Sequence, residues 1–296
     1  MEQTAKKTGK TYEMDMCNGP LFPKIVAFAV PLILSGILQL LFNAADIIVV
    51  GHFAGRESLA AVGSTTALIN LMINVFVGLS VGVNVLAARY YGAQKEKDIQ
   101  DTVHTAIMMA ILSGLFLVVL GESASKPMLT LMGTPDDVLD QAALYLRIYF
   151  FGMPVLMIYN FGAALLRAVG DTRRPLYFLF AAGAVNVVLN LFFVIQLGMG
   201  VDGVAWATVI SECVSAGLII RSLMKENGAM KLHLTKLRIV SGKLTQIVRV
   251  GLPAGMQGAI FSISNVLIQS SVNSFGSIAM AGNTASSNIE GFVYTA

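Results

Sequence analysis

Three carboxylates, Asp46, Glu212 and Glu290, stand in or at the end of long apolar runs. Ionisable groups at such positions face a bundle interior or a water-filled cavity and rarely face lipid. A carboxylate kept from water is neutralised by a proton or by a bound cation, which equips it to exchange either one. Asp46 falls in the outer half of the first run, three residues after Asn43, so both lie on one helical face. Glu212 sits in the middle of its run, where an interhelical hydrogen bond is the alternative to a functional role, and Glu290 leaves the same two readings open.

Amides form the second group. Asn186 and Asn190 are four residues apart and share a helical face. Buried amides either join helices or line a polar cavity. Gln39, Asn43, Asn70, Asn74, Asn160, Asn265 and Gln269 add to them, and so many polar side chains within apolar runs point to a hydrated interior. Gln39, Asn43, Asn160 and Asn265 are the candidates for its wall. Pro31, Pro154 and Pro253 each remove a helix hydrogen bond; Pro31 and Pro253 are read as hinges, with static curvature as the plainer alternative. Gly78 to Gly82 is a small-xxx-small pattern suited to close helix contact.

Gly198-Met199-Gly200-Val201-Asp202-Gly203 matches a dinucleotide fingerprint in letters only, because it joins two apolar runs where that site needs a soluble strand. No HExxH, GxSxG or Walker sequence occurs, and none of the three acids has a partner at catalytic spacing, so no enzyme activity and no cofactor are expected. Cys17 and Cys213 are far apart and form no metal or disulfide pattern.

The elements that position these residues follow from composition. Of 296 residues, 55% are hydrophobic and 12% charged, about half the charge of a soluble domain; mean hydropathy is +0.72. Uncharged stretches run Ile25 to Ala45, Ser58 to Ala88, Thr102 to Gly121, Ile148 to Leu166, Pro175 to Val201 and Val204 to Ile220, the last interrupted by Glu212; Val250 to Ile289 is broken in two by Ser274 to Ser277. Lipid forces each to satisfy its own backbone, and the runs are continuous rather than alternating, so eight helices are predicted and a barrel is disfavoured.

Charge orients them. With the N-terminus cytoplasmic, only Arg56, Lys126 and Arg147 of the twenty Lys and Arg fall outside. The basic stretch Arg221 to Arg249 is then a cytoplasmic linker near anionic head groups, and no nucleic-acid partner is expected. Pro31 and Asn43 are twelve apart, as are Pro253 and Asn265, and each pair precedes a similar small-residue loop. The second part therefore restarts like the first, the plan of transporters built from repeated bundles. The expected organisation is a tail at 1–20, a six-helix bundle at 21–224, a linker at 225–246 and two helices of a second bundle at 247–296.

These motifs converge on a resemblance. Pro31, Asp46 and Leu59-Ala60-Ala61-Val62-Gly63, then Ala87-Ala88-Arg89-Tyr90-Tyr91-Gly92-Ala93, Leu166 to Pro175, Asn186-Val187-Val188-Leu189-Asn190 and Gly198 to Thr208 together resemble the multidrug and toxic compound extrusion family, bacterial branch. The resemblance implies an all-α integral membrane protein with twelve helices in two six-helix bundles, of which this chain supplies one bundle and two further helices, as a C-terminally shortened version. It implies export of amphipathic or cationic drugs across the bacterial cytoplasmic membrane by a monomer, against H⁺ or Na⁺. The coupling group falls on Asp46, Asn186, Asn190 and Thr208, with Na⁺ at Asp46, Asn186 and Asn190 as one form and Glu290 as a second coupling acid. Many relatives carry an acid where this chain has Asn190. A lipid-linked oligosaccharide flippase and an inactive fragment are the alternatives.

Overall fold

The computed structural model describes residues 20–226 and 228–295. Most of the N-terminal tail, with Cys17, lies outside the described residues. The described residues form helices α1 (Leu21–Val49), α2 (Gly55–Gly92), α3 (Glu96–Leu131), α4 (Asp136–Phe151), α5 (Met153–Ala168), α6 (Arg173–Leu191), α7 (Val201–Lys225), α8 (Ser241–Asn273) and α9 (Ser277–Thr295). The eight predicted helices correspond to α1, α2, α3, the α4–α5 pair, α6, α7, α8 and α9; among the described residues all of these but α9 are long and apolar enough to cross a membrane, α4 and α5 as one bent pair.

Leu21–Gly92 is an apolar stretch of 72 residues. As one helix it would be about 108 Å long, against a hydrocarbon core of about 30 Å, so it has to fold back. The reversal comes at Gly55, whose φ of 89° suits a residue without Cβ. The fourth span starts earlier than its uncharged core and bends by 50° between α4 and α5 at Gly152, beside Pro154. The elbow seats in α3, where a Cβ on Gly114 would fall 2.3 Å from Pro154 Cα. Pro31 and Pro253 leave α1 and α8 continuous, and Ser35 Oγ donates to the Pro31 carbonyl at 2.7 Å.

Fully buried Ile107, Leu117, Phe150, Met153, Phe161, Leu165 and Ile219 form the core where α3, α4, α5 and α7 meet. Around it the outward faces stay apolar, with Val119, Phe180, Val188 and Leu267 all exposed, as lipid solvation requires. The basic end of the bundle is tied by Asp171. Its carboxylate is buried, accepts the Arg173 and Arg174 backbone N–H groups at 3.2 and 3.1 Å, and pairs with the Arg174 guanidinium, which also reaches Glu226 at the end of α7.

The linker is strapped along α3. His104 Nδ1 donates to the Gln100 carbonyl at 2.7 Å, leaving Nε2 to accept the His233 backbone N–H at 3.2 Å. Thr105 Oγ1 accepts the Val240 N–H at 3.2 Å, Arg238 pairs with Asp101 at 2.7 Å, and Lys243 pairs with Asp98 at 2.5 Å while lying over the Tyr90 ring. Helix α8 begins at Ser241, so the helix takes in the last residues assigned to the linker. It then crosses α2 at backbone contact: a Cβ on Gly78 would lie 2.2 Å from Gly255 Cα, and Asn74 Nδ2 donates to Ser262 Oγ at 2.7 Å.

Candidate functional site: an acid and amide cluster on a bundle cavity

Helices α1 and α6 both start at the basic end of the bundle, so they run side by side in one direction. Their register is set by a missing side chain: Gly183 leaves room for the Phe42 ring, which otherwise would sit 1.7 Å from a Cβ. One turn beyond Phe42 on α1 comes Asp46; one and two turns beyond Gly183 on α6 come Asn186 and Asn190. The side chains meet. Asn190 is fully buried, and its Nδ2 donates to the Asp46 carboxylate and to Asn186 Oδ1 at 3.2 Å. Asn186 Nδ2 in turn donates to Thr208 Oγ1 of α7 at 3.4 Å, and that hydroxyl donates to the Val204 carbonyl at 3.0 Å.

One group in this chain is left over. Asn190 Oδ1 is the single buried side-chain polar atom without a partner among the described residues. An unpartnered buried acceptor is costly. Here it sits on a side chain already bound to a carboxylate, with a third oxygen on Asn186. Carboxylate and amide carbonyl oxygens are hard donors of the kind that hold Na⁺ in transporters. With the amide turned over, the same oxygen accepts the O–H of a protonated Asp46. Among the described residues no three His, Cys, Asp or Glu side chains converge as a metal cluster.

Backbone irregularity frames the cluster. A π turn, Val50–Ala54, follows the helix of Asp46, and another, Phe192–Gln196, follows that of Asn190; the two touch. Such turns widen a helix and are frequent at functional sites.

The cluster opens on a cavity of about 320 Å³. Its wall includes Gln39, Asn43 and Asp46 of α1, Tyr145 and Tyr149 of α4, Tyr159 and Asn160 of α5, Asn186 of α6, and Thr208, Ser211, Glu212 and Ser215 of α7. Of the residues expected to line it, Gln39, Asn43 and Asn160 do so. Asn265 does not: it is exposed on α8, off the buried stripe of Gly251, Gly255, Ser262 and Gln269 that meets the first bundle. Glu290 is exposed on α9 and is not part of the cavity wall.

Part of this wall lies beyond the residues that spacing alone singles out. By sequence Glu212 carries two readings, and Tyr145 and Tyr149 carry none. The signal was present: Thr208, Ser211, Glu212 and Ser215 recur at helical spacing in an apolar span, and Tyr145 and Tyr149 are four apart. The glycine-rich segment at 198–203 connects α6 to α7, with Gly198 at φ 65° and the Gly200 N–H donating to Asp202 Oδ1 at 3.0 Å.

The comparisons with known proteins agree with this architecture. The MatE family pattern matches residues 31–192. Probable multidrug resistance protein YoeA of Bacillus subtilis is 32% identical over 275 residues, which is 90% of this chain and 59% of that protein. An FAD transporter of Shewanella oneidensis is 26% identical over 87% of this chain and 58% of its own length. A solved structure described as the inward-facing conformation of a multidrug resistance MATE family transporter of the MOP superfamily superimposes with a TM-score of 0.77 at 28% identity, over 83% of this chain and 56% of that one. The chain thus spans about three fifths of the curated relatives it matches. A pattern match over more than half the residues, joined to the helical bundle and its shared topology, places this chain in the MatE family of membrane transporters.

Proposed function

We propose that this chain exports amphipathic or cationic drugs across the bacterial cytoplasmic membrane, N-terminus inside, in exchange for H⁺ or Na⁺. The observation that carries the reading is the contact between Asp46 and Asn190 at the wall of a bundle cavity, with Asn190 Oδ1 unpartnered beside it. The multidrug relatives support the substrate class. The cavity wall also has two acids and no basic side chain, which favours a cationic cargo over the phosphate of a lipid-linked oligosaccharide.

The exchange follows from charge. With Asp46 empty, its carboxylate accepts the Asn190 amide N–H and the cavity takes up the positive cargo. Arrival of H⁺ or Na⁺ from outside neutralises the carboxylate and changes the Asp46–Asn190 contact that holds α1 to α6. The helices then repack and the cargo leaves as the ion enters. Pro31 lets α1 repack, because its helix already lacks one backbone hydrogen bond there.

The test is efflux of a fluorescent cationic dye from proteoliposomes under an imposed pH or Na⁺ gradient. Asp46→Asn keeps the size and one hydrogen-bonding end of the side chain while removing its charge. It is expected to insert normally and lose gradient-driven efflux. Undiminished gradient-driven efflux in that variant would sink the role given to Asp46.

A further inference from the structure

The cavity holds a second acid that the coupling cluster does not use. Glu212 on α7 shares the wall with Asp46 but lies one turn beyond Thr208, outside the Asp46–Asn190–Asn186 chain. Among the described residues no hydrogen bond or ion pair reaches its carboxylate. The neighbouring hydroxyls are committed to their own helix: Ser211 Oγ donates to the Thr208 carbonyl at 2.8 Å, and Ser215 Oγ donates to the Glu212 carbonyl at 2.9 Å. An interhelical hydrogen bond, the structural role open to such a residue, is therefore not made.

An acid placed in a membrane bundle without a partner lowers stability, so its position calls for a ligand that supplies the missing positive charge. The groups around it fit one kind. Tyr145 and Tyr149 line the same cavity as a stacked pair, with ring centroids 6.0 Å apart and planes 26° apart. Neither hydroxyl has a protein partner among the described residues. Aromatic faces attract cations, and a flat apolar body lies well against stacked rings.

We propose that Glu212 is the specificity-determining residue of the cavity: it takes the ammonium group of an aromatic organic cation whose flat body rests on Tyr145 and Tyr149. This assignment rests on the export reading and deepens it, because it separates the two acids by task. Asp46 keeps the coupling ion within its amide cluster, while Glu212 sets the preference for charged over neutral cargo. A cargo too small to reach the tyrosine pair while paired with Glu212 is bound weakly.

The test uses two dyes of one shape, an aromatic body carrying either a trimethylammonium group or its neutral tert-butyl isostere, with binding to the purified chain measured by equilibrium dialysis against empty micelles. Wild type is expected to prefer the cationic dye by about tenfold or more, the difference made by one charge-assisted contact. Glu212→Gln is expected to bind both dyes alike, whereas Glu212→Asp and Asp46→Asn keep the preference. Because the native acid has no partner, Glu212→Gln should melt at or above the wild-type temperature; Glu212→Met, of similar length, serves as a second neutral variant with the same expected loss.

Equal binding of the two dyes by wild type would overturn the assignment, as would a preference that survives in both neutral variants or one abolished by Asp46→Asn instead. Those results leave export standing. Failure of wild type to bind either dye would instead bring down the export reading as well.

Discussion

The ring of Phe42 fills the space in which a side chain on Gly183 would stand, with Phe42 Cε2 1.7 Å from the place of a Cβ. Because α1 and α6 run in the same direction, this single contact fixes where Asp46 meets Asn186 and Asn190. Gly183→Val is expected to displace Phe42 and part Asp46 from Asn190, at a cost of about 1–3 kcal/mol from overpacking. Gly217→Val is the control, since a Cβ there meets nothing within 4 Å. The thermal midpoint in detergent, together with Na⁺ titration read by the single tryptophan, Trp206 of α7, should separate the two variants. Equal behaviour would mean that the glycine does not set the register.

Asn190 leaves the proposed coupling cluster with a single carboxylate, that of Asp46. Asn190→Asp adds a second carboxylate to the donor set, and Na⁺ affinity measured by calorimetry should rise by about tenfold, or ~1.4 kcal/mol. Asn190→Leu removes the donor to Asp46 and the unpartnered oxygen together, and Na⁺ binding should disappear. An aspartate variant with unchanged Na⁺ affinity would show that the ion does not bind at this residue.

The crossing of α2 and α8 depends on two glycines meeting backbone to backbone. A Cβ on Gly255 would fall 2.5 Å from the Val75 carbonyl oxygen, and one on Gly78 would strike Gly255 Cα. Gly255→Leu should force the two helices apart and cost about 1–3 kcal/mol or more. Cysteines placed at Asn74 and Ser262, whose side chains are hydrogen-bonded across the crossing, would then cross-link more slowly than in the Gly255 background. An unchanged cross-linking rate would contradict the tight crossing.

The strap along α3 gives a pH dependence. Desolvation, followed by the charges of Lys236, Lys231 and His104, holds the His233 imidazole below its ordinary value of 6.5. The folded chain thus takes up this proton less readily than the unfolded chain. The contribution is complete above about pH 6.5 and fades as pH falls through the lowered folded value. The thermal midpoint should therefore fall between pH 7.5 and 5, and His233→Gln should flatten the decline. A midpoint that rises on acidification would refute the sign.

Hydropathy placed the helices, because lipid leaves a backbone few ways to satisfy itself and each apolar run had to become a helix. The pairing of Asp46 with Asn43 on one face, and of Asn186 with Asn190 on another, was legible for the same reason: helical periodicity turns spacing into direction. The resemblance to drug exporters adds Thr208 to that group, and its hydroxyl accepts from Asn186 Nδ2. The wall residues Gln39, Asn43 and Asn160 were likewise readable as polar side chains in apolar helices.

What the chain order could not decide was which faces meet. Glu212 and Glu290 look alike as letters, an acid in or at the end of an apolar stretch, yet one lies on the cavity and the other is exposed on α9. Asn43 and Asn265 occupy equivalent places in the repeat, yet only Asn43 lines the cavity. The difference is made by contacts between distant residues, the Phe42 ring in the gap at Gly183 and the crossing at Gly78 and Gly255. Sequence determines each helix and its polar stripe through local hydrogen bonding and solvation; only tertiary contact, which depends on shape complementarity across many turns, chooses the stripes that face one another.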